Sequence, residues 1–317
     1  MNPKPVVVLS HCLGDRPCRY NGQAIRDPFV ARLEPFVDYR CVCPEVEIGL
    51  GIPRDPIRLV DDRRGGVRLV QPATGLDVTE KMRAFAARFL GGLGPVDGFL
   101  LKGRSPSCGV RDVKIHAPDG KRVIRRGAGV FAAAVLERFP GTAVEDEGRL
   151  SNFDLRDHFL TRIFAAARFR QVRSKAALVA FHAAHKLLLL AHHQAALREL
   201  GRLVANHERL PLPEVLARYR EGLDRALARP ARTPSRVNVF EHAFGYFSRN
   251  LSEAERRHFR QLIARYRDAR VPAGAVTAVL RSWVERFRTA YLADQVLFEP
   301  YPEGLVSLLD SGKGRDP

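Results

Sequence analysis

The order of apolar segments along the chain constrains its fold more than any other feature. In the first 150 residues, short apolar runs that suit buried strands alternate with amphipathic stretches at helical spacing. The strand candidates are 5–9, 39–42 and 96–101, and the helix candidates are 78–90 and 129–139. This alternation is typical of a parallel sheet with right-handed crossovers, so we predict an α/β, Rossmann-like N-terminal domain.

The second half of the chain has a helical pattern almost throughout. We expect helices at 176–200, 213–227, 239–250, 252–267 and 273–292, with a loop at 229–235. Ser252 followed by Glu255 is a capping-box signature at the start of one of them. The sequence therefore predicts two domains, an α/β domain over residues 1–160 and an all-α domain over residues 170–310.

Composition limits the compartment and the cysteine chemistry. No apolar run reaches the ~18 residues of a membrane span, and the N-terminus leads directly into the first strand candidate. We therefore expect a cytoplasmic protein without a membrane anchor. The five cysteines are Cys12, Cys18, Cys41, Cys43 and Cys108. An odd number in a reducing compartment favours metal binding or catalysis over a disulfide framework.

The charge of the chain indicates a polyanionic partner. The formal net charge is +17, and residues 151–317 hold 28 Lys and Arg against 17 Asp and Glu. Residues 1–150 are closer to balance, with 24 against 18. An excess of this size in the helical half favours nucleic acid as the partner.

Three cysteines, Cys12, Cys43 and Cys108, each follow a strand candidate. Loops at the carboxyl ends of parallel strands gather at one edge of a sheet, so these thiols should meet there. An iron–sulfur cluster is one use of such an arrangement. A zinc site with Cys41, Cys18 or His11 as its fourth ligand is another, and a nucleophilic Cys108 is a third.

Four separated motifs of the N-terminal half resemble those of the TudS-type thiouracil desulfidases. They are SHCLG with CRYNG (10–14 and 18–22), CPE with GLGIPR (43–45 and 49–54), LKGRSPSCG (101–109) and EDEGRL (145–150). The similarity spans residues 4–165. His11 and Asn21 depart from the family pattern, in which a small residue and an aspartate are more frequent.

The resemblance implies a [4Fe-4S] cluster on Cys12, Cys43 and Cys108, with one open iron that takes the sulfur of a thiolated base while water attacks the ring carbon. By motif, Glu45 is the acid/base and Ser105 the assisting serine, with Ser107 as the competing candidate. Without the resemblance, the two serines suit a turn around Pro106, and Glu45 suits a surface ion pair.

Four basic residues lie beside these motifs and are candidates for binding the base or a phosphate. They are Arg19, Arg54, Lys102 and Arg104. Each suits a structural ion pair equally well. Cys18 and Cys41 are expected to pack rather than to bind metal.

The helical half resembles the YbgA-type C-terminal domain over about residues 175–305. The matching stretches include FHAAHKLLLLAH (181–192), NVFEHAFGYF (238–247) and YLADQ (291–295). The joined arrangement is similar to the RudS-type tRNA 4-thiouridine desulfidases, which implies conversion of 4-thiouridine in tRNA to uridine, with sulfide as the product.

Basic residues at helical spacing are the RNA-binding candidates: Lys186, Arg198, Arg202, Arg256 and Arg260. Interleaved glutamates make a solvated helix face the competing interpretation. Tyr246, Trp283 and Tyr291 suit either base stacking or the core. His182 and His185 share a helix face, but no carboxylate completes a metal site, so we expect structural or RNA-contacting histidines.

Together these features predict an iron–sulfur tRNA 4-thiouridine desulfidase whose helical domain binds the RNA. A desulfidase of free thiouracil or another small thiolated compound is the alternative enzyme. An RNA-binding protein with a structural or sensing cluster is the alternative without catalysis. The sequence indicates no obligate protein partner.

Overall fold

The computed structural model describes residues 3–307 and divides them into two compact units. The first unit comprises residues 3–167 and 304–307, and the second comprises residues 168–303. The predicted fold class is confirmed, because the first unit contains a parallel sheet flanked by helices and the second is helical.

The strands are β1 (Val6–Ser10), β2 (Asp38–Val42), β3 (Arg58–Asp61), β4 (Val67–Gln71), β5 (Leu76–Asp77), β6 (Gly98–Leu101), β7 (Val113–His116), β8 (Val123–Gly127) and β9 (Ala143–Asp146). The helices of the first unit are α1 (Pro28–Leu33), α2 (Pro44–Glu47), α3 (Thr79–Gly91), α4 (Val130–Arg138) and α5 (Phe153–Phe169). Those that follow are α6 (Lys175–His192), α7 (Gln194–Ala205), α8 (Leu212–Ala226), α9 (Thr233–Gly245), α10 (Glu253–Arg267), α11 (Ala273–Phe287) and α12 (Ala290–Ala293).

The first sheet has the strand order β2-β1-β6-β9 and is parallel throughout. β6, inside this sheet, is an apolar run with all four residues buried, whereas β2 at its edge is largely exposed. Phe99 of β6 belongs to the same core cluster as Met82 and Phe85 of α3 and Phe131 of α4. Burying each such side chain contributes about 1.5–3 kcal/mol to stability.

The second sheet was not predicted from the sequence. Its order is β5-β4-β3-β7-β8, and it combines antiparallel hairpins with one parallel pair, β3 and β7. The strands are two to five residues long. β8 is almost wholly exposed and carries Arg125 and Arg126. Short, charged strands of this kind do not show the apolar alternation that marks a strand in a sequence.

One predicted helix, 176–200, is wrong in its extent, because the structure divides it into α6 and α7 at His193. The backbone of His193 is extended, with φ −157° and ψ 90°. Its Nδ1 accepts a hydrogen bond of 3.1 Å from the N–H of Ala196 and so caps α7. The cap satisfies one of the free donors that every helix start leaves.

Two other predicted boundaries are also wrong. α9 begins at Thr233 rather than at residue 239, with Pro234 in its first turn, where a missing N–H leaves no hydrogen bond unmade. The helix predicted over 273–292 ends at Phe287 because Arg288 adopts a left-handed conformation (φ +48°). The capping box at Ser252 and Glu255 is present as predicted.

The helical unit is built around an aromatic core. Trp283 packs against Phe244, Phe247 and Phe259, with ring centroids 5.0–6.1 Å apart. Trp283 is therefore a core residue and is not available for stacking on a base. Among the described residues, no helix combines the length and the apolar character that a membrane crossing requires.

Candidate functional site

The site lies where three parallel strands end. β1, β2 and β6 are neighbours in the first sheet and run in the same direction, so the segments that follow them leave from one edge. Cys12 follows β1, Cys43 follows β2 and Cys108 lies in the segment after β6. All three line one cavity of about 350 Å³.

Four cysteines, and not three, line this cavity. Cys18 is buried, and its carbonyl oxygen lies 3.7 Å from Cys43 Sγ. The sequence predicts that Cys18 packs rather than binds metal, and its position on the cavity was not predicted, although it lies in the CRYNG motif. Cys41 is exposed on β2 and does not line the cavity.

Burial dominates the titration of the deepest thiol. Cys108 is 3% exposed, and desolvation raises its pKa, with Glu45 and Cys43 adding to the effect. Hydrogen bonds with Ser10 and Ser105 oppose this rise. A hydrogen bond with Cys12 is the main cause that raises the pKa of Cys18 to about 11. The pKa of Cys43 is also raised, first by its hydrogen bond with Cys18 and then by burial.

Glu45 is the carboxylate of the site and lies in the first turn of α2, two residues after Cys43. It is 9% exposed and lines the cavity. The hydroxyl of Ser107 donates a hydrogen bond of 2.6 Å to Glu45 Oε1, and the hydroxyl of Ser105 donates one of 3.2 Å to the same atom. These bonds fix the orientation of the carboxylate.

The two competing serine candidates, Ser105 and Ser107, occupy different places in the structure. Ser105 lines the cavity, whereas Ser107 is completely buried and does not. Ser105 Oγ also accepts hydrogen bonds from the N–H groups of Ser107 and Cys108, at 3.3 and 3.2 Å. Ser105 therefore forms a local turn and faces the cavity, while Ser107 holds Glu45 from behind.

The segment 102–109 is fixed by close packing against the start of α4. A Cβ at Gly129 would lie 2.4 Å from the carbonyl oxygen of Ser107, so only glycine permits this approach. The N–H of Ala132 then donates to that carbonyl at 3.0 Å. At the other end, Ser10 Oγ accepts a hydrogen bond of 2.9 Å from the N–H of Lys102. The segment that carries Ser105 and Cys108 is thus held at both ends.

Glu147, immediately after β9, also holds this segment. Its carboxylate accepts a hydrogen bond of 2.7 Å from the N–H of Gly103 and forms an ion pair with Lys102. Sequence reasoning gave Glu147 no role, although the EDEGRL motif contains it. Its neighbour Asp146 also binds the backbone, because Asp146 Oδ1 accepts a hydrogen bond of 2.9 Å from the N–H of Arg149.

The four basic residues beside the motifs, Arg19, Arg54, Lys102 and Arg104, all line the cavity. Arg104 is exposed and has a positive φ of +62°. A non-glycine residue in this region carries backbone strain of about 1–3 kcal/mol, and such residues cluster at functional sites.

The thiols of Cys12, Cys43 and Cys108 are the residues that could hold a metal centre. Among residues 3–307, no group of three or more His, Cys, Asp or Glu side chains is arranged to hold a single metal ion. In an iron–sulfur cluster, each thiolate reaches a different iron instead.

The RNA-binding candidates of the helical unit differ in their exposure and in their hydrogen bonds. Lys186, Arg198, Arg202 and Arg260 are exposed. Arg256 is half-buried, and its Nη1 donates to the carbonyl oxygens of Ser248 and Leu251 at 2.9 Å each. Tyr246 is exposed and stacks on Tyr291, with ring centroids 5.5 Å apart.

The histidines of α6 have structural partners. His182 Nδ1 lies 3.0 Å from the hydroxyl of Tyr219. His185 is buried, stacks on Phe181 and places Nδ1 2.8 Å from the carbonyl oxygen of that residue. Burial lowers the pKa of His185 to about 3. These contacts agree with the structural role that the sequence favoured over metal binding.

Two family models match the chain in separate regions. The 2-thiouracil desulfurase family matches residues 7–147, and a family described as a protein of unknown function (DUF1722) matches residues 186–302. The first of these regions contains the whole cavity described above.

Two curated relatives are each covered almost completely by this chain. The uncharacterized protein YbgA of Escherichia coli (strain K12) is 32% identical over 168 residues, which is 51% of this chain and 98% of the relative. The uncharacterized protein YbbK of Bacillus subtilis (strain 168) is 30% identical over 153 residues, 46% of this chain and 99% of the relative.

Among solved structures, the [4Fe-4S]-dependent thiouracil desulfidase TudS is 31% identical, with 46% of this chain and 93% of that chain covered and a TM-score of 0.36. The family matches and the two curated relatives agree on the arrangement that the motifs indicated. The chain belongs to the 2-thiouracil desulfurase family in its first half and to the YbgA-type DUF1722 family in its second.

Proposed function

We propose that this chain is a desulfidase of thiolated pyrimidines and that its substrate is 4-thiouridine within tRNA. The observation that carries the proposal is the cavity at the sheet edge, which is lined by Cys12, Cys43 and Cys108 together with Cys18 and Glu45. Membership of the 2-thiouracil desulfurase family supports the reaction class.

The proposed cofactor is a [4Fe-4S] cluster held by Cys12, Cys43 and Cys108. The donor set fits, because Cys12, Cys43 and Cys108 come from three separate segments and line one cavity. When bound, such a cluster supplies an iron without a protein ligand, a soft Lewis acid that prefers sulfur to oxygen.

The residues of the chain supply the proton transfers. Glu45 removes a proton from the attacking water and returns a proton to a ring nitrogen, a role suited to a carboxylate within the cavity. The hydroxyls of Ser107 and Ser105 hold Glu45 Oε1 in place for this. Water is consumed, the C=S bond is replaced by C=O and hydrogen sulfide leaves, so no electron donor or acceptor is needed.

The charge of the helical half supports tRNA as the substrate. Residues 151–317 hold 28 basic against 17 acidic side chains, and Lys186, Arg198, Arg202 and Arg260 are exposed. A polyanion gains free energy from such a field through counterion release, whereas a neutral free base gains little. The residues that match the YbgA-type family, 186–302, lie within this basic half.

The proposal is tested with anaerobically reconstituted protein and two substrates, thiolated tRNA and free 4-thiouracil. We expect the thiocarbonyl absorbance of the tRNA to disappear with release of sulfide, and the same tRNA with Glu45→Gln protein to remain unchanged. Loss of absorbance from the free base alone would contradict the tRNA assignment and favour a small-molecule desulfidase. Binding of tRNA without any turnover would instead favour an RNA-binding protein with a structural cluster.

A further inference from the structure

The second sheet of the first unit has one face in the core and one face turned outward. Leu59, Leu69 and Ile115, from its three inner strands, belong to the core cluster. Because side chains alternate along a strand, the residues next to them lie on the opposite face. That outer face carries basic residues from four strands: Arg58 on β3, Arg68 on β4, Lys114 on β7 and Arg126 on β8.

Three of these cations are neighbours across adjacent strands. Lys114 lies directly opposite Arg126 in the β7–β8 pair, and Arg58 occupies the adjacent place on β3. Like charges directly opposite one another destabilise a sheet. Within the described part of the chain, none of the three pairs with an acid, and Arg58 and Arg126 donate instead to the carbonyl oxygens of Gly120 and Asp112, at 3.0 and 3.4 Å. The row therefore keeps a positive charge that no carboxylate compensates.

The acidic residues of this sheet hold its turns and edges. Asp62 Oδ1 accepts hydrogen bonds of 2.8 Å from the N–H groups of Arg64 and Gly66. Asp119 Oδ1 accepts one of 3.0 Å from the N–H of Lys121. Two further acids form ion pairs: Asp61 with Arg125 and Asp77 with Arg68.

Three cations remain exposed without such a partner. Lys114, Lys121 and Arg122 are exposed, and among residues 3–307 their side chains form no hydrogen bond or ion pair. The sheet as a whole is basic, since residues 58–77 and 111–127 hold 10 Lys and Arg against 5 Asp and Glu. The rest of residues 1–150 holds 14 against 13. The charge surplus of the first half is therefore concentrated in this one sheet.

Protection of a sheet edge explains only part of this charge. β8 is an edge strand, and basic residues on an edge prevent it from pairing with another chain. That reason covers Arg125 and Arg126. Lys114 and Arg58 lie on β7 and β3, which have neighbours on both sides. Solvent-facing positive charge on inner strands favours a polyanionic partner instead.

The sheet begins at the cavity and leads away from it. Ile57, directly before β3, and Cys108, in the segment before β7, both line the cavity. β3 and β7 are parallel and four residues long, so they extend about 13 Å from that end. Lys121 and Arg122 lie in the turn beyond β7. An RNA with one base in the cavity can thus reach the sheet with phosphates of other nucleotides.

We propose that the outer face of the second sheet, with Lys114, Lys121 and Arg122, binds the phosphate backbone of RNA at nucleotides other than the one in the cavity. Residues 58–77 and 111–127 contain no Phe, Tyr or Trp, so the contact is made by charge and not by stacking on bases. The inference rests on the proposed function, because it takes RNA as the substrate. It extends RNA binding, assigned there to the helical half, to the first unit.

The test measures binding, so that it does not depend on turnover. Equilibrium binding of unmodified tRNA to the reconstituted protein is measured over a range of salt concentrations. The sheet variant combines Lys114→Gln, Lys121→Gln and Arg122→Gln. The control variant removes three exposed charges from helices α1, α3 and α4 of the same unit, by Arg32→Gln, Lys81→Gln and Arg138→Gln. Circular dichroism shows whether each variant is folded.

We expect the sheet variant to bind tRNA roughly tenfold more weakly at low salt and to reduce the salt slope by about 2 to 3, because each lost phosphate contact lowers that slope by about 0.7 to 0.9. The control should stay within about twofold of the wild type. Equal losses in both variants would show that only net charge matters, and would overturn the surface. A sheet variant with the affinity and slope of the wild type would overturn it too.

A smaller variant keeps the test valid if the triple substitution unfolds the sheet. Lys121→Gln with Arg122→Gln changes only the turn and leaves the strands intact. It should reduce the salt slope by about 1 to 2. An unchanged slope in this folded variant would contradict the proposal.

Further arms separate other polyanions and the two proposals. If the sheet variant loses binding to polyglutamate or to anionic phospholipid vesicles but retains its affinity for tRNA, the surface serves an acidic protein or a membrane and the RNA assignment is overturned. Sheet-dependent tRNA binding in a protein that releases no sulfide from thiolated tRNA would retain the surface and refute the desulfidase function. Desulfuration of thiolated tRNA with the same KM in the sheet and control variants would retain the function and refute the surface.

Discussion

The two units of this chain use their polar residues in opposite ways. In the parallel-sheet unit, the polar groups at the carboxyl edge are buried and bonded to one another, as Glu45 is to Ser105 and Ser107. In the helical unit, many basic residues are exposed, and several pair with acids on the surface, such as Arg218 with Glu214. Buried, mutually bonded groups at strand ends are typical of a reaction site, and an excess of exposed basic residues favours a polyanionic partner.

The same contrast applies to the residues most often associated with metals. Four of the five cysteines line one cavity of the first unit, whereas Cys41 lies exposed on β2. In the second unit, His193 caps a helix and His185 is buried. Position in the fold therefore distinguishes these residues better than their type does.

The largest effect is expected from Glu45→Gln, which keeps the shape of the side chain but removes the base. General acid–base catalysis contributes typically about 10²- to 10⁴-fold, so turnover should fall by that factor. The matched control is Glu47→Gln on the same short helix, where the side chain is exposed. Desulfuration rates with an unchanged cluster spectrum provide the measurement, and equal losses for both variants would refute the assignment.

Glu147→Ala should cause the next largest change, this time in stability. It leaves Lys102 partly buried without its partner and removes the acceptor of the Gly103 N–H, so we expect a loss of about 2–3 kcal/mol. Glu80→Ala breaks the largely exposed pair with Arg83 and should change stability by about 0.5 kcal/mol or less. Urea unfolding of both variants compares them, and similar losses would contradict the described role of Glu147.

The helical unit should lose stability in acid through His185. Burial lowers its folded pKa to about 3, with Arg168 and His182 as nearby positive groups, while the unfolded chain takes up the proton near pH 6.5. Protons therefore bind to His185 preferentially in the unfolded state. The free energy of unfolding should fall as the pH drops from 6.5 towards 3, by at most about 1.4 kcal/mol per pH unit from this group.

His185→Phe should flatten this dependence while it preserves the stacking on Phe181. Trp283 is the single tryptophan of the chain and lies in the helical core, so its fluorescence reports on this unit alone. His258→Gln, at an exposed position of α10, should retain the wild-type slope. If His185→Phe leaves the pH dependence of the free energy of unfolding unchanged, groups other than His185 cause that dependence.

The smallest effect should come from replacing exposed basic residues of the helical unit. Arg198 and Arg202 lie one turn apart on α7 and are exposed. Replacing both with glutamine should weaken tRNA binding several-fold and reduce the salt slope by about 1 to 2. The guanidinium of Arg218 is already paired with Glu214, so Arg218→Gln should change the salt slope less. Equal slopes for the two would assign RNA binding to another surface.

Much of the first unit could be predicted from its sequence because β1 and β6, the inner strands of its first sheet, are apolar runs. β1, β2 and β6 and the helices α3 and α4 lie where the periodicity placed them, within a few residues. The meeting of Cys12, Cys43 and Cys108 at one cavity then follows from the parallel direction of those strands. The second sheet was missed because its short strands carry charges on their exposed faces.

Other features depend on tertiary contacts that no local pattern reveals. The motif favours Ser105 as the assisting serine, with Ser107 as the competing candidate, but only the structure shows that Ser105 lines the cavity while Ser107 is buried. The hydrogen bond from the N–H of Gly103 to Glu147 joins residues that are 44 positions apart in the chain. The break at His193 arises from a side-chain cap, which competes with the continuous apolar pattern of α6 and α7.

We propose that Cys12, Cys43 and Cys108 together hold an iron–sulfur cluster. Anaerobic reconstitution followed by iron and acid-labile sulfide analysis of single Cys→Ser variants tests it most directly. We predict about four iron and four sulfide per chain in the wild type and in Cys41→Ser, and a loss of both in Cys12→Ser, Cys43→Ser and Cys108→Ser. A wild type that binds metal without sulfide, or an equal loss in Cys41→Ser, would contradict the account.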